Sequence, residues 1–365
     1  MRQETKLRSG QTGLQTRSLI SILTLMLVQF CVADESERLR LTWSRLTPLP
    51  EKAGLGGCFV GVSGDALLVA GGCNFPDKKI WEGGQKAWLD KVHILTTSDG
   101  EWRRAGRLPH PLAYGVSATT THGLVCIGGA DTERHHAEVL LLRWSGRDLE
   151  TRPLPSLPTP LAYATGTVVR DIIYVAGGTT TPAAASASDS FLALDLSRKE
   201  HAWQELKPCP GKPRMLAVAG ALDGVFYIAG GVTLESANGN SQRRYLRDVW
   251  RYRPSQGWQR LANLPRPCSA GATPAPYFGS TLYVVGGDDG SLVGFQPMGK
   301  HPGFSKGILA YDTTSNMWRN EDKAPVPNAT VQTAFWQGRF VFPAGEPGPG
   351  LRSAEVWALD ISAGK

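Results

Sequence analysis

Glu346 and Arg352 stand in the segment Gly345-Glu346-Pro347-Gly348-Pro349-Gly350-Leu351-Arg352. Proline fixes φ and glycine permits sharp turns, so the segment reads as a shaped loop that holds an acid and a base in place. A held carboxylate can move protons, and a held guanidinium can grip an anion bidentately. The same two groups could instead pair and merely staple the loop, and their spacing does not choose between these readings. A second suggestive stretch is Gly71-Gly72-Cys73-Asn74-Phe75-Pro76, followed by Trp81, Lys86 and Trp88. Its aromatic rings could stack on a sugar face, or they could simply pack in a core. His135 and His136 with Asp131 and Glu133 have metal-ligand chemistry, but so polar a run reads as a solvated loop, and no metal site is expected from it.

Something rigid must carry these loops, and the chain is built of repeats. A Gly-Gly pair closes a short apolar run at Gly71-Gly72, Gly128-Gly129, Gly177-Gly178, Gly230-Gly231 and Gly286-Gly287, and Ala344-Gly345 is a degenerate sixth copy. The runs before them (Ala66–Ala70, Leu124–Ile127, Ile172–Ala176, Val225–Ala229, Thr281–Val285 and Arg339–Ala344) are β-branched or aromatic and bounded by turns, as buried strands are. Each run follows another short strand and precedes a third. A fourth often carries tryptophan: Trp102, Trp203, Trp258 and Trp318. Proline-marked connectors such as Leu108-Pro109 and Leu264-Pro265 separate the units. Four strands in about 50 residues, with Gly-Gly after the second, is the kelch pattern. The expected fold is all-β: a six-bladed kelch-type β-propeller, with blades beginning near residues 54, 113, 162, 216, 270 and 329. The sixth repeat stops after its third strand, whereas residues 40–46 supply an orphan fourth strand with Trp43. That strand is expected to complete blade six and close the ring, hiding two sheet edges.

Composition agrees. The 42 Gly and 25 Pro disfavour a helical bundle, because in helix interiors they cost about 1 and 3 kcal/mol each. With 11 Trp and 41% apolar residues able to bury a core, disorder is disfavoured. Arg2, Lys6, Arg8 and Arg17 precede an apolar run, Leu19–Ala33, that is short for a membrane span and suits a signal peptide over residues 1–33. The mature protein, residues 34–365, is then expected to be exported to a periplasmic or extracellular space, without stable membrane association. Removal of the basic leader also lowers the formal charge of +7. The remaining Lys and Arg are scattered, so no nucleic-acid groove is expected. Beyond the leader, Cys58, Cys73, Cys126, Cys209 and Cys268 are odd in number and read as buried free thiols, with room for one disulfide.

Four segments together resemble one family. They are Gly71–Pro76, the Glu346/Arg352 loop, Pro111-Leu112-Ala113-Tyr114-Gly115-Val116-Ser117 and Pro210-Gly211-Lys212-Pro213-Arg214. They are similar to those of the N-acetylneuraminate epimerase (sialic acid mutarotase) propellers, and their order resembles the cyclically permuted subgroup. The resemblance implies an isomerase that interconverts the α and β anomers of N-acetylneuraminate or a related sugar acid, without a cofactor. It makes Glu346 and Arg352 the catalytic pair. Asn74, Arg214, Tyr114 and Tyr163 are the residues expected around the substrate: Arg214 or Arg352 could bind the sugar carboxylate, and Tyr114 or Tyr163 could be the second proton donor or a hydrogen-bonding group, or could instead pack between blades. The other class of function open to such a fold is a non-catalytic propeller that binds a protein or glycan.

Overall fold

The computed structural model describes residues 39–237 and 240–364, of which Leu41–Ile361 form a compact unit. The signal-peptide segment lies outside the described residues. Six antiparallel four-stranded sheets make six blades of a propeller. In blade one the strands are Phe59–Ser63, Ala66–Ala70, Lys91–Leu95 and Arg103–Arg107, paired in chain order. Blades two to five repeat this order, opening with Val116–Thr120, Thr165–Val169, Val218–Leu222 and Tyr277–Phe278. The opening strand of blade five is reduced to two residues because Pro274 and Pro276 precede it, and proline has no N–H for a ladder. Blade six takes Ala334–Trp336, Arg339–Pro343 and Val356–Ser362 from the end of the chain and Arg40–Leu46 from its beginning. The ring is therefore closed as the complementary ends of the repeat pattern require.

A single blade is too thin to have an interior, so the core is divided into packets between neighbouring blades. Between blades one and two, Phe59, Leu68 and Ile94 meet Leu124, Leu142 and Trp144. At the closing seam, Val60, Leu67 and Leu95 meet Trp336, Val341 and Ala358, with Leu46 and Leu49 joining them. The repeated tryptophans fasten four of the blades to the connector before them. Trp102 donates to the Thr47 carbonyl at 2.8 Å, Trp203 to Pro155 at 2.8 Å, Trp258 to Lys207 at 2.9 Å and Trp318 to Ala262 at 2.9 Å. All five described cysteines are free, Cys209 half-buried and the other four buried.

The axis is built from two rings of backbone. The first comprises Gly57, Tyr114, Tyr163, Leu216, Ala270 and Thr330, one per blade, all with φ between 52° and 63°. Five of the six N–H groups reach back to the preceding blade: Tyr114 to Gly57 O at 2.7 Å, Tyr163 to Tyr114 O at 2.8 Å, Leu216 to Tyr163 O at 2.8 Å, Ala270 to Leu216 O at 2.7 Å and Thr330 to Ala270 O at 2.7 Å. Left-handed backbone at non-glycine residues costs about 1–2 kcal/mol each, and this chain of hydrogen bonds offsets it. The second ring is the residue after each Gly-Gly: Cys73, Ala130, Thr179, Val232, Asp288 and Glu346. Each bridges to the residue just before a first-ring position, from Gly56↔Cys73 round to Ala329↔Glu346. The repeat thus places one residue per blade beside the first ring. In blades five and six its side chain is a carboxylate.

Candidate active site

A polar cavity of about 420 Å³ sits on the axis, walled by Tyr114, Tyr163, Leu216, Ala270 and Thr330 of the first ring and by Thr179, Asp288 and Glu346 of the second. Lys86, Arg243 and Arg352 reach it from the longer loops. It opens onto a more apolar recess of about 760 Å³ lined by Leu292, Val293, Phe295, Met298 and Pro349.

Glu346 and Arg352 come together on the wall. Arg352 Nη1 lies 2.9 Å from Glu346 Oε2, with side-chain exposures of only 4% for Arg352 and 13% for Glu346. The other carboxylate oxygen, Oε1, accepts from Thr330 Oγ1 at 2.9 Å and from the Tyr114 hydroxyl at 3.2 Å. That hydroxyl in turn accepts from Arg352 Nη2 at 3.2 Å and from the Cys73 thiol at 3.0 Å. Burial, and next the Glu346 carboxylate, push the Tyr114 phenol well above its usual range, so it remains a donor. Burial also raises the Cys73 thiol, which leaves it protonated and unreactive. The guanidinium lies 5.2 Å above the Phe75 ring. A Cβ on Gly56 would sit 2.5 Å from Arg352 Nε, so the glycine leaves the space the arginine occupies.

Tyr163 lies beside Tyr114, with ring centroids 5.0 Å apart. Burial pushes its phenol up to about 12, and among the described residues its hydroxyl has no hydrogen-bond partner. It is therefore free to donate into the cavity. Asn74 is buried and does not line the cavity. Its amide donates to Gly54 O at 3.0 Å, and Gly54 packs against the Arg352–Ser353 backbone, so Asn74 steadies the loop that carries Arg352.

Arg214 is placed away from the cavity. It is 3% exposed and clamps Asp248 with contacts of 3.1 and 2.5 Å, while also donating to Gly230 O and Lys212 O. Its charge is already used to pin the connector before blade four, so the sequence-based assignment of Arg214 to the substrate is corrected. Burial alone would raise the Asp248 carboxyl, but Arg214 overrides it and holds it below 3.8. A depressed folded-state value stabilises the fold above the unfolded value and is lost as pH falls through the folded one. Arg214→Met is expected to cost about 3–5 kcal/mol at neutral pH, because it strands a half-buried carboxylate. In urea melts followed by tryptophan fluorescence, that deficit should shrink below about pH 4, where Asp248 of the unfolded chain is protonated.

The histidine run is also corrected. His135 and His136 are buried, not solvated: His135 Nδ1 faces Thr179 O at 3.0 Å and His136 Nε2 faces Asp131 at 2.8 Å. The sequence reading did not assign Lys86, Arg243, Asp288 or Thr330 to the site. Among the described residues neither Lys86 nor Arg243 has a carboxylate within ion-pair distance, and the Lys86 ammonium lies 5.3 and 5.4 Å over the rings of Trp88 and Tyr114. Asp288 and Thr330 were readable from ring position alone.

Six four-stranded blades around a polar axial cavity, with an acid and a base on its wall, define a kelch-type propeller with an enzyme-like site. A model of the N-acetylneuraminate epimerase family matches residues 32–151 and 154–297, well over half of the chain, and the protein belongs to that family. The Glu346/Arg352 loop lies beyond the matched residues. Among similar proteins are the N-acetylneuraminate epimerases of Haemophilus influenzae strain 86-028NP (30% identical over 227 residues, 55% of this chain and 58% of the relative) and Yersinia enterocolitica (29% over 228 residues, 56% of each). The chain thus aligns with little more than half the length of these relatives. The solved structure of YjhT superposes with a TM-score of 0.64 at 16% identity, covering 88% of this chain and 99% of that one, a likeness of fold.

Proposed function

We propose that the protein is a mutarotase that interconverts the anomers of N-acetylneuraminate or a closely related sugar acid. The observation that carries this reading is the Glu346 carboxylate, oriented by three donors on the wall of a polar cavity large enough for one sugar. Glu346 takes the proton of the anomeric hydroxyl while the ring oxygen is protonated, with Tyr163 as donor. The bond between anomeric carbon and ring oxygen breaks, the carbonyl carbon turns its other face, and reclosure reverses the proton movements. Arg352 is neutralised by Glu346, so its task is to position that carboxylate. Lys86 and Arg243, cations at the mouth, take the substrate carboxylate. Export past the membrane, where released sialic acid would be met, suits the leader-like segment 1–33.

The test is NMR of anomeric exchange after sialidase releases the α anomer. Micromolar protein should speed exchange above the spontaneous rate, and an unchanged rate rejects the enzyme. Lys86→Gln is expected to raise KM about tenfold with little change in kcat, the pattern of lost ground-state binding. A second reading, a non-catalytic glycan- or protein-binding propeller, is favoured by the apolar rim, where Val293 is 71% exposed and Trp81 and Leu292 are each 37% exposed. Saturable binding without faster exchange would establish that reading instead.

A further inference from the structure

A cluster outside the cavity has the geometry of a metal site. His110 lies in the connector between blades one and two, and His136 and Glu138 lie just before the third strand of blade two, Val139–Trp144. One ligand atom from each of the three falls within 4.8 Å of the others. The imidazoles stack with centroids 4.5 Å apart. His110 Nε2 is in contact with Glu138 Oε1, and His136 Nδ1 lies 3.9 Å from the same oxygen.

The other nitrogen of each ring is already engaged. His110 Nδ1 faces the Pro111 carbonyl at 3.1 Å, and His136 Nε2 faces Asp131 Oδ2 at 2.8 Å. Carbonyl and carboxylate oxygens accept, so those nitrogens carry the hydrogens, and in a neutral imidazole the remaining nitrogen is then a lone pair. Two lone pairs and a carboxylate therefore converge, and the buried Glu138 Oε1 meets these two rings without a well-formed hydrogen bond among the described residues. Three acceptors around one point call for a cation.

We propose that His110, His136 and Glu138 bind a divalent transition-metal ion of the zinc class. Two imidazoles and a carboxylate suit zinc. Tetrahedral ligands at about 2.0–2.1 Å from the ion lie roughly 3.3 Å apart, within reach of small side-chain rotations. Asp131 supplies the outer carboxylate that fixes the ring of a metal-bound histidine, and it is itself held by the N–H groups of Glu133 at 2.7 Å and Arg134 at 2.8 Å. His110 and Glu138 are about one-third exposed at 32% and 29%, which leaves the fourth position to water. The ion ties the connector to blade two directly behind His135, which packs edge-on against Tyr163 of the cavity at 5.8 Å.

The test uses the full protein, freed of any affinity tag, stripped with chelator and titrated with Zn²⁺ by calorimetry, with bound metal counted by mass spectrometry after desalting. One ion per chain is expected, together with a higher melting temperature than in chelator. Asp131→Asn should weaken binding about 10- to 100-fold, and His110→Ala at least as much, each titrated at a temperature where its melt in chelator shows it folded. Cys209→Ser should bind normally. No zinc in the wild type, equal affinity in His110→Ala, or loss in Cys209→Ser would each overturn the proposal.

Discussion

Glu346→Gln is expected to slow enzyme-accelerated anomeric exchange by about 10²–10⁴, the usual contribution of a positioned general acid–base. The amide keeps the shape of the side chain and can still accept from Thr330 and Tyr114, but it cannot take a proton. It also leaves Arg352, 4% exposed, without its counter-charge, which costs about 3–5 kcal/mol of stability. Exchange rates must therefore be normalised to folded protein by a melt in the same buffer. Glu346→Asp separates the two effects. It restores the charge opposite Arg352, so most of the stability should return. It also withdraws the carboxylate by one methylene, and a misplacement on the order of 1 Å costs about 10² in rate. Stability regained with exchange still slow is the pattern expected of a proton shuttle. A well-folded Glu346→Gln that exchanges at the wild-type rate would remove Glu346 from the chemistry.

Much of this architecture could be read from the sequence because the physics repeats. The Gly-Gly runs, the seam tryptophans and the orphan strand 40–46 each answer a requirement that recurs at every blade. Glu346 and Arg352 attracted attention because their loop departs from its own repeat. What was missed depends on side-chain direction and distant partners. Arg214 lies on a connector of the correct face, but only the folded chain brings Asp248 to it, across 34 residues. His135 and His136 sit in a polar run that looks solvated, and only the folded chain makes them interior, with Thr179 and Tyr163 against His135 and His110 against His136. Asp288 could have been found by asking which residue follows each Gly-Gly, since in blades three, five and six that residue lines the axial cavity.

Gly177→Ala is the other substitution expected to have a large effect, and it tests why the pairs are glycine. Gly177 has φ +68°, and a Cβ there would lie 2.1 Å from the Arg214 carbonyl of the next connector. That carbonyl cannot retreat, because it accepts the Gly178 N–H at 2.8 Å and its residue is clamped to Asp248. The same clash, at 2.2–2.5 Å, faces a Cβ at Gly71, Gly128, Gly230 and Gly286. Left-handed strain and overpacking each cost about 1–3 kcal/mol, so Gly177→Ala should lose about 2–6 kcal/mol in urea unfolding. Blade six is the natural control. Ala344 occupies the equivalent position at φ +64°, while the Gly345 N–H still reaches Leu55 O at 2.9 Å. The seam between blades six and one therefore already accommodates a methyl group, and Ala344→Gly should shift stability by no more than about 1 kcal/mol. If Gly177→Ala were as mild as Ala344→Gly, the close approach of each connector would not be what demands glycine, and the repeated pairs would need another cause.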